Sequence, residues 1–315
     1  MDNIEIMLVL VALVGVGYAA ARLGYMGGDF DKKLSGLIVD FTCPALILSS
    51  TMGEQLPDRA MVLPLLAISV LTYVVLGVVA LLLPRLLTRR RSDEGVVGFA
   101  LMFGNVGFIG YPIAASIFGH QAVFYAAVLN VVNTFAVFTM GTMLITGSKE
   151  GGADGKGGAG RWAFHPSVLY SSPMLAAYAA IAIVVLGISH VPRIISQPLS
   201  MLGAITVPGA LLIIGSSMSQ LPARTMLGNS TVYLTTLFRL FLLPMGLYFL
   251  CQALGFSPFV VSLNTVIIAM PVATYGTILC LKHGRDTTLI TELTLITTLC
   301  SVITIPLLAQ FFANH

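Results

Sequence analysis

Stretches of roughly 20 residues with almost no charge recur along the entire chain, and they leave few folds open. A run of that length crosses about 30 Å of hydrocarbon as a helix. Ten can be read: 4–24, 34–51, 61–83, 95–117, 122–146, 168–189, 197–219, 229–253, 258–281 and 287–311. Inside a bilayer every backbone N–H and C=O must be satisfied within the protein, so repeated runs of this length imply helices. Only 9% of the residues are charged, against about 25% in a soluble domain. The expected class is an all-α polytopic membrane protein. The first run is too long for a signal peptide and has no basic leader or clear small-residue cleavage site, so it reads as structure.

Lysine and arginine placement predicts orientation. The odd-numbered loops hold Arg22, Lys32, Lys33, Arg85, Arg89, Arg90, Arg91, Lys149, Lys156, Arg161, Arg224, Lys282 and Arg285. The even loops hold only Arg59 and Arg193, and Arg239 lies within a span. Odd loops are therefore expected in the cytoplasm, with both termini on the outer, periplasmic side of the plasma (inner) membrane. The net charge of +3 calls for no nucleic acid; RLLTRRR (85–91) reads as a topology signal and a contact for anionic lipid. Cys43, Cys251, Cys280 and Cys300 fall inside spans without metal-ligand spacing and read as small hydrophobes.

The one low-complexity segment, GSKEGGADGKGGAGR (147–161), reads as a flexible cytoplasmic linker. It divides the chain into a five-helix unit (1–146), a glycine-rich linker (147–166) and a second five-helix unit (167–315). An odd number of spans per unit means that the second enters the membrane inverted. CPALIL (43–48) matches VPGALL (207–212), offset by 164 between Pro44 and Pro208. Asn105 precedes Pro112 by seven positions, and Asn264 precedes Pro271 by seven, offset by 159.

GNVGFIGYP (104–112) carries the signature of a broken span. Proline removes a helix hydrogen bond and clashes with the preceding turn. In lipid the carbonyls so freed persist only where protein or an aqueous cavity satisfies them. Proline also suits a first helical turn, so Pro112 and Pro271 are expected each to start a second half-helix. Two helix N-termini aimed at the interior would form an anion site, and Asn105 and Asn264 would add amide donors. Asn130 and Asn133 share one face of span five; they either complete the cavity or bond to neighbouring helices. The threonines and serines of span ten, Thr297 to Thr304, read as bonded back to their own helix. Asp40, Arg239 and Glu292 are the ionisable groups well inside spans. Arg239 either attracts a substrate carboxylate or, the preferred reading, pairs structurally with Asp40 or Glu292. Asp40 and Glu292 are also candidates to carry a coupling proton.

GNVGFIGYP with the following IFG (117–119), CPALIL, AMPVA (269–273) and TTLCSVITIP (297–306) together resemble the auxin efflux carrier family of membrane transporters. That family includes plant PIN-type auxin exporters and bacterial carriers of malonate or malate. The resemblance implies ten spans in two inverted repeats, a scaffold bundle, a moving transport bundle and homodimers. It implies that spans four and nine cross at prolines mapping to Pro112 and Pro271. It also implies a binding site whose asparagines map to Asn105 and to Asn130 or Asn133. The central loop here is shorter than the regulatory loop of many plant members.

The expected function is a secondary transporter of a small organic anion working by alternating access. No cofactor is expected, and the coupling ion, proton or sodium, is left open. A channel is the rival within transport, though no charged ring or carbonyl filter repeats; a sensor with a transporter-like fold is another. An enzyme is disfavoured. GVGYAA (15–20) resembles the start of a dinucleotide fingerprint but lies inside a spanning run, not a strand–turn–helix unit. His120, His165, His190, His283 and His315 are scattered, and no HExxH occurs.

Overall fold

The computed structural model describes residues 3–52, 56–147, 170–188, 191–219 and 230–313. Of the linker read at 147–166, all but the first residue lies outside them. The described residues are helical throughout, joined by short turns and one isolated antiparallel bridge. Five helices are long and apolar enough to cross a membrane unaided: α3 (Arg59–Leu82), α5 (Ala122–Gly147), α7 (Arg193–Ser219), α8 (Ser230–Ala253) and α10, whose apolar part is Thr288–Leu308. Around them pack α1 (Asn3–Arg22), α2 (28–49) and α6 (Ser172–Leu186). The fourth and ninth runs are each split. One gives α4a (Glu94–Met102) and α4b (Val106–Phe118); the other gives α9a (Pro258–Ile268) and α9b (Tyr275–Lys282).

Helix α2 starts six residues before the apolar run at 34, because Asp29, Asp31, Lys32 and Lys33 lie on its polar first turns. Gly24 (φ 85°) and Gly27 (φ 134°) make the reversal from α1 into it, a backbone region where other residues are strained.

Three of the prolines inside helices share a device, which Pro198 and Pro306 lack. The wide five-residue turns Ile38–Thr42, Val106–Gly110 and Phe238–Leu242 each end two residues before Pro44, Pro112 or Pro244. A turn with one extra residue moves the carbonyl that the proline ring would strike and needs no N–H from the ring nitrogen. The helix continues through the proline instead of stopping.

Helices form two groups by contact. Helix α1 packs along α7, and α2 lies against α6 and α7. Glycines allow the closest approaches: a methyl on Gly17 would strike the Leu212 carbonyl, and one on Gly215 the Val14 carbonyl. Such small-residue seams let spanning helices gain dispersion contact where water supplies no drive to associate. The second group holds α3 against α4a and α5, α8 against α9a and α10, and α4a against α10. Thr206 in α7 donates to Thr42 in α2 at 2.9 Å, a bond between residues 164 positions apart.

Candidate functional site

The two split helices meet at their breaks. Asn105 N donates to the Pro271 carbonyl (2.8 Å) and Ala273 N to the Phe103 carbonyl (3.1 Å), forming the antiparallel bridge of Gly104 with Val272. Val272 N donates to Thr297 Oγ1 of α10 (3.0 Å), whose own hydroxyl donates to the Leu293 carbonyl. Backbone groups that the broken helices release are thus largely satisfied by each other, as burial demands.

The break in the fourth run lies at 103–105, not at Pro112. Pro112 sits within α4b, carried by its wide turn, and Pro271 lies in the break before α9b resumes at Tyr275. Neither proline starts a half-helix, which corrects the sequence expectation. Asn105 occupies the start of α4b instead, and its Oδ1 accepts from Phe108 N (3.3 Å). This side-chain cap replaces one missing helix partner and leaves Nδ2 outside the cap.

Two cavities adjoin this junction, and Asn105, Gly107 and Thr274 line both. The larger, about 490 Å³, runs between α2, α4b, α7 and α10 to Asp31 and Lys32 at the start of α2. Asp31 is fixed there by Ser216 Oγ (2.5 Å) and Gly27 N (3.0 Å). The smaller, about 170 Å³, is lined by Asn130, Asn133 and Thr134 of α5. Tyr111, Ala114, Phe124 and Val128 are buried in one apolar cluster.

Asn130 and Asn133 belong to a directed chain of side chains. Tyr73 hydroxyl donates to Asn133 Oδ1 (2.7 Å), Asn133 Nδ2 to Asn130 Oδ1 (2.7 Å), and Asn130 Nδ2 to the Tyr111 hydroxyl (2.8 Å). The chain ties α3, α5 and α4b together and fixes which atom of each amide faces which neighbour. Tyr73 and Tyr111 escaped the sequence reading; a hydroxyl-bearing ring inside an otherwise aliphatic run was the available signal.

The other candidates lie elsewhere. Asn264 is buried within α9a, donates to Thr72 Oγ1 (3.0 Å) and lines neither cavity. Its spacing from Pro271 copies that of Asn105 from Pro112, yet only Asn105 stands at a break. Asp40 is exposed on α2 and Glu292 half-buried on α10, outside both linings. The expected pairing of Arg239 with either is not formed. Arg239 is 1% exposed; its Nη1 donates to the Leu101 carbonyl (3.0 Å) and its Nε to the Met270 carbonyl (3.2 Å). Carbonyls left at the helix breaks, not carboxylates, supply its partners. Thr298 and Ser301 bond back to their own helix, as read.

The chain is 25% identical over 321 residues to an uncharacterized transporter of Methanocaldococcus jannaschii, covering 100% of both chains. It is 25% identical over 313 residues to an uncharacterized transporter of Methanothermobacter thermautotrophicus, covering 98% of this chain and 97% of that one. A protein of Rhizobium meliloti named "Putative malonate transporter" is 26% identical over 302 residues, covering 93% of this chain and 90% of that one. The model of the family described as membrane transport protein matches residues 3–157 and 170–309. With the broken helices, the apolar spans and that coverage together, the chain belongs to the membrane transport protein family, that of the auxin efflux carriers.

Proposed function

We propose that this protein is a secondary transporter that carries a small carboxylate anion across the membrane by alternating access. The observation that carries the reading is the junction: two helix breaks bridged to each other, with Asn105 at the start of α4b lining both cavities. Helix N-termini favour negative charge, and Asn105 Nδ2 adds a neutral donor. A cavity of about 490 Å³ holds a three- or four-carbon dicarboxylate with some of its water. Within that class, the name of the Rhizobium meliloti relative points to malonate.

The contacts support ten spans in two inverted repeats. Exchanging α1 with α6, α2 with α7, α3 with α8, α4 with α9 and α5 with α10 turns each principal contact into another. The α1–α7 contact becomes α6–α2, α3–α5 becomes α8–α10, and α3–α4a becomes α8–α9a. The separation of the bonded pair Thr42 and Thr206 equals the Pro44–Pro208 offset of 164, which suits two residues beside a pseudo-two-fold axis. Helices α1, α2, α6 and α7 then form the scaffold, and the remainder the transport bundle. With the odd loops in the cytoplasm, the larger cavity faces inward, since Asp31 and Lys32 adjoin the first loop.

Counterflow in liposomes tests the reading. Purified protein loaded with unlabelled malonate should draw in labelled malonate above its equilibrium level, with saturable rates and a response to an imposed proton or sodium gradient. Flux that never saturates and shows no counterflow would mean a pore; binding without movement would mean a sensor.

A further inference from the structure

Four helix ends converge on the junction, and their fields oppose one another. Helices α4b and α9b bring N-terminal ends with positive partial charge, while α4a and α9a bring C-terminal ends with negative partial charge, each about half an elementary charge. Left to themselves these four ends partly offset one another, which weakens the preference for an anion that the two N-termini supply. Arg239 tips that balance. It stands in the wide turn Phe238–Leu242 of α8, and its two hydrogen bonds go to the Leu101 carbonyl in the last turn of α4a and to the Met270 carbonyl just past α9a. One planar guanidinium thus spans the two negative ends, a geometry that a lysine ammonium cannot copy. Among the described residues no carboxylate forms a salt bridge with Arg239. Gly104 completes the fit: any Cβ there would collide with the guanidinium, so the seat requires glycine.

We propose that Arg239 is a positioning residue that clamps the carbonyl ends of both broken helices, holding the bridge between them and leaving the junction with a net positive field that selects an anion. It lines neither cavity and acts on the solute through the field and through the placement of Asn105. The point rests on the reading that the junction takes an anion, and the test separates the two.

Arg239→Met keeps an unbranched apolar stem and removes the charge; Arg239→Lys keeps charge and loses the fork; Gly104→Ala displaces the guanidinium without altering any charge. Each is purified into nanodiscs. The first readout needs no ligand: amide hydrogen exchange at Asn105 and Ala273, whose N–H groups make the bridge, should rise in all three variants. The second compares malonate with its uncharged diamide. Arg239→Met should lose malonate affinity on the order of 100-fold, as removal of a nearby buried charge implies, with the diamide little changed. Arg239→Lys should keep most malonate affinity. Unchanged exchange and unchanged malonate affinity in folded Arg239→Met overturn the proposal. If that variant does not fold, unchanged exchange in both Arg239→Lys and Gly104→Ala overturns it. If the wild type binds no carboxylate, the transport reading fails while the exchange arm still decides whether the clamp exists.

Discussion

Asn105 does two things with one amide. Its Oδ1 caps α4b by accepting from Phe108 N, and its Nδ2 is the donor proposed to meet the anion. Aspartate separates these roles. Asn105→Asp keeps the acceptor and hence the cap, but replaces the donor with negative charge. It should remain folded and lose malonate uptake, by at least about 100-fold if a like charge stands within several Å of the anion. Asn105→Ala loses donor and cap together, and so should also lower stability by about 0.5–2 kcal/mol. Uptake in liposomes and thermal unfolding in detergent read the two effects apart; wild-type uptake in Asn105→Asp would remove the donor role. Asn105, Asn130 and Asn133 were legible in the sequence, because an amide in an apolar run needs a partner or a solute. The partners of Arg239 were not. Sequence suggests carboxylates for a buried cation, and only the fold reveals that two carbonyls are released within its reach.

At the scale of elements, the ten apolar runs located the helices closely, since hydrocarbon thickness fixes their length. Where the fourth run would break was another matter. Proline marks a place where one hydrogen bond is lost, but a wide turn before Pro112 absorbs that loss, and the break falls at Gly104 and Asn105 instead. The deciding influence is tertiary: the bridge to Pro271 and Ala273 satisfies the opened backbone there. Glycines in helices divide in the same way between those that face a neighbour and those that do not. Gly215 lies against the Val14 carbonyl, whereas Gly246 in α8 meets nothing within 4 Å. Gly215→Ala should therefore force α1 from α7 and lower stability by about 1–3 kcal/mol. Gly246→Ala should be neutral or stabilising by about 0.5–1 kcal/mol, since alanine is the better helix former. Equal unfolding temperatures for the two variants would contradict the close seam.

Across the whole molecule, alternating access requires that contacts between the two helix groups be breakable on one side at a time. One such contact lies at the end away from the large cavity. Ser49 near the end of α2 meets His120, in the turn between α4b and α5, with 3.1 Å between Oγ and Nε2. Helix α2 belongs to the proposed scaffold and His120 to the transport bundle, so the bond must open whenever that side opens. It is a single polar contact at an exposed histidine, weak enough to break readily. Ser49→Cys puts a thiolate beside the imidazole, a pair that binds soft divalent ions. The free cysteines, Cys43 in the cavity lining among them, make the wild type the necessary control. Cadmium should stop malonate counterflow by Ser49→Cys and a chelator should restore it. The wild type and Ser49→Cys/His120→Ala should ignore the metal. A pore with fixed walls would pass its anion with the two groups bridged. Continued flux through the cadmium-bound variant would thus count against a moving transport bundle.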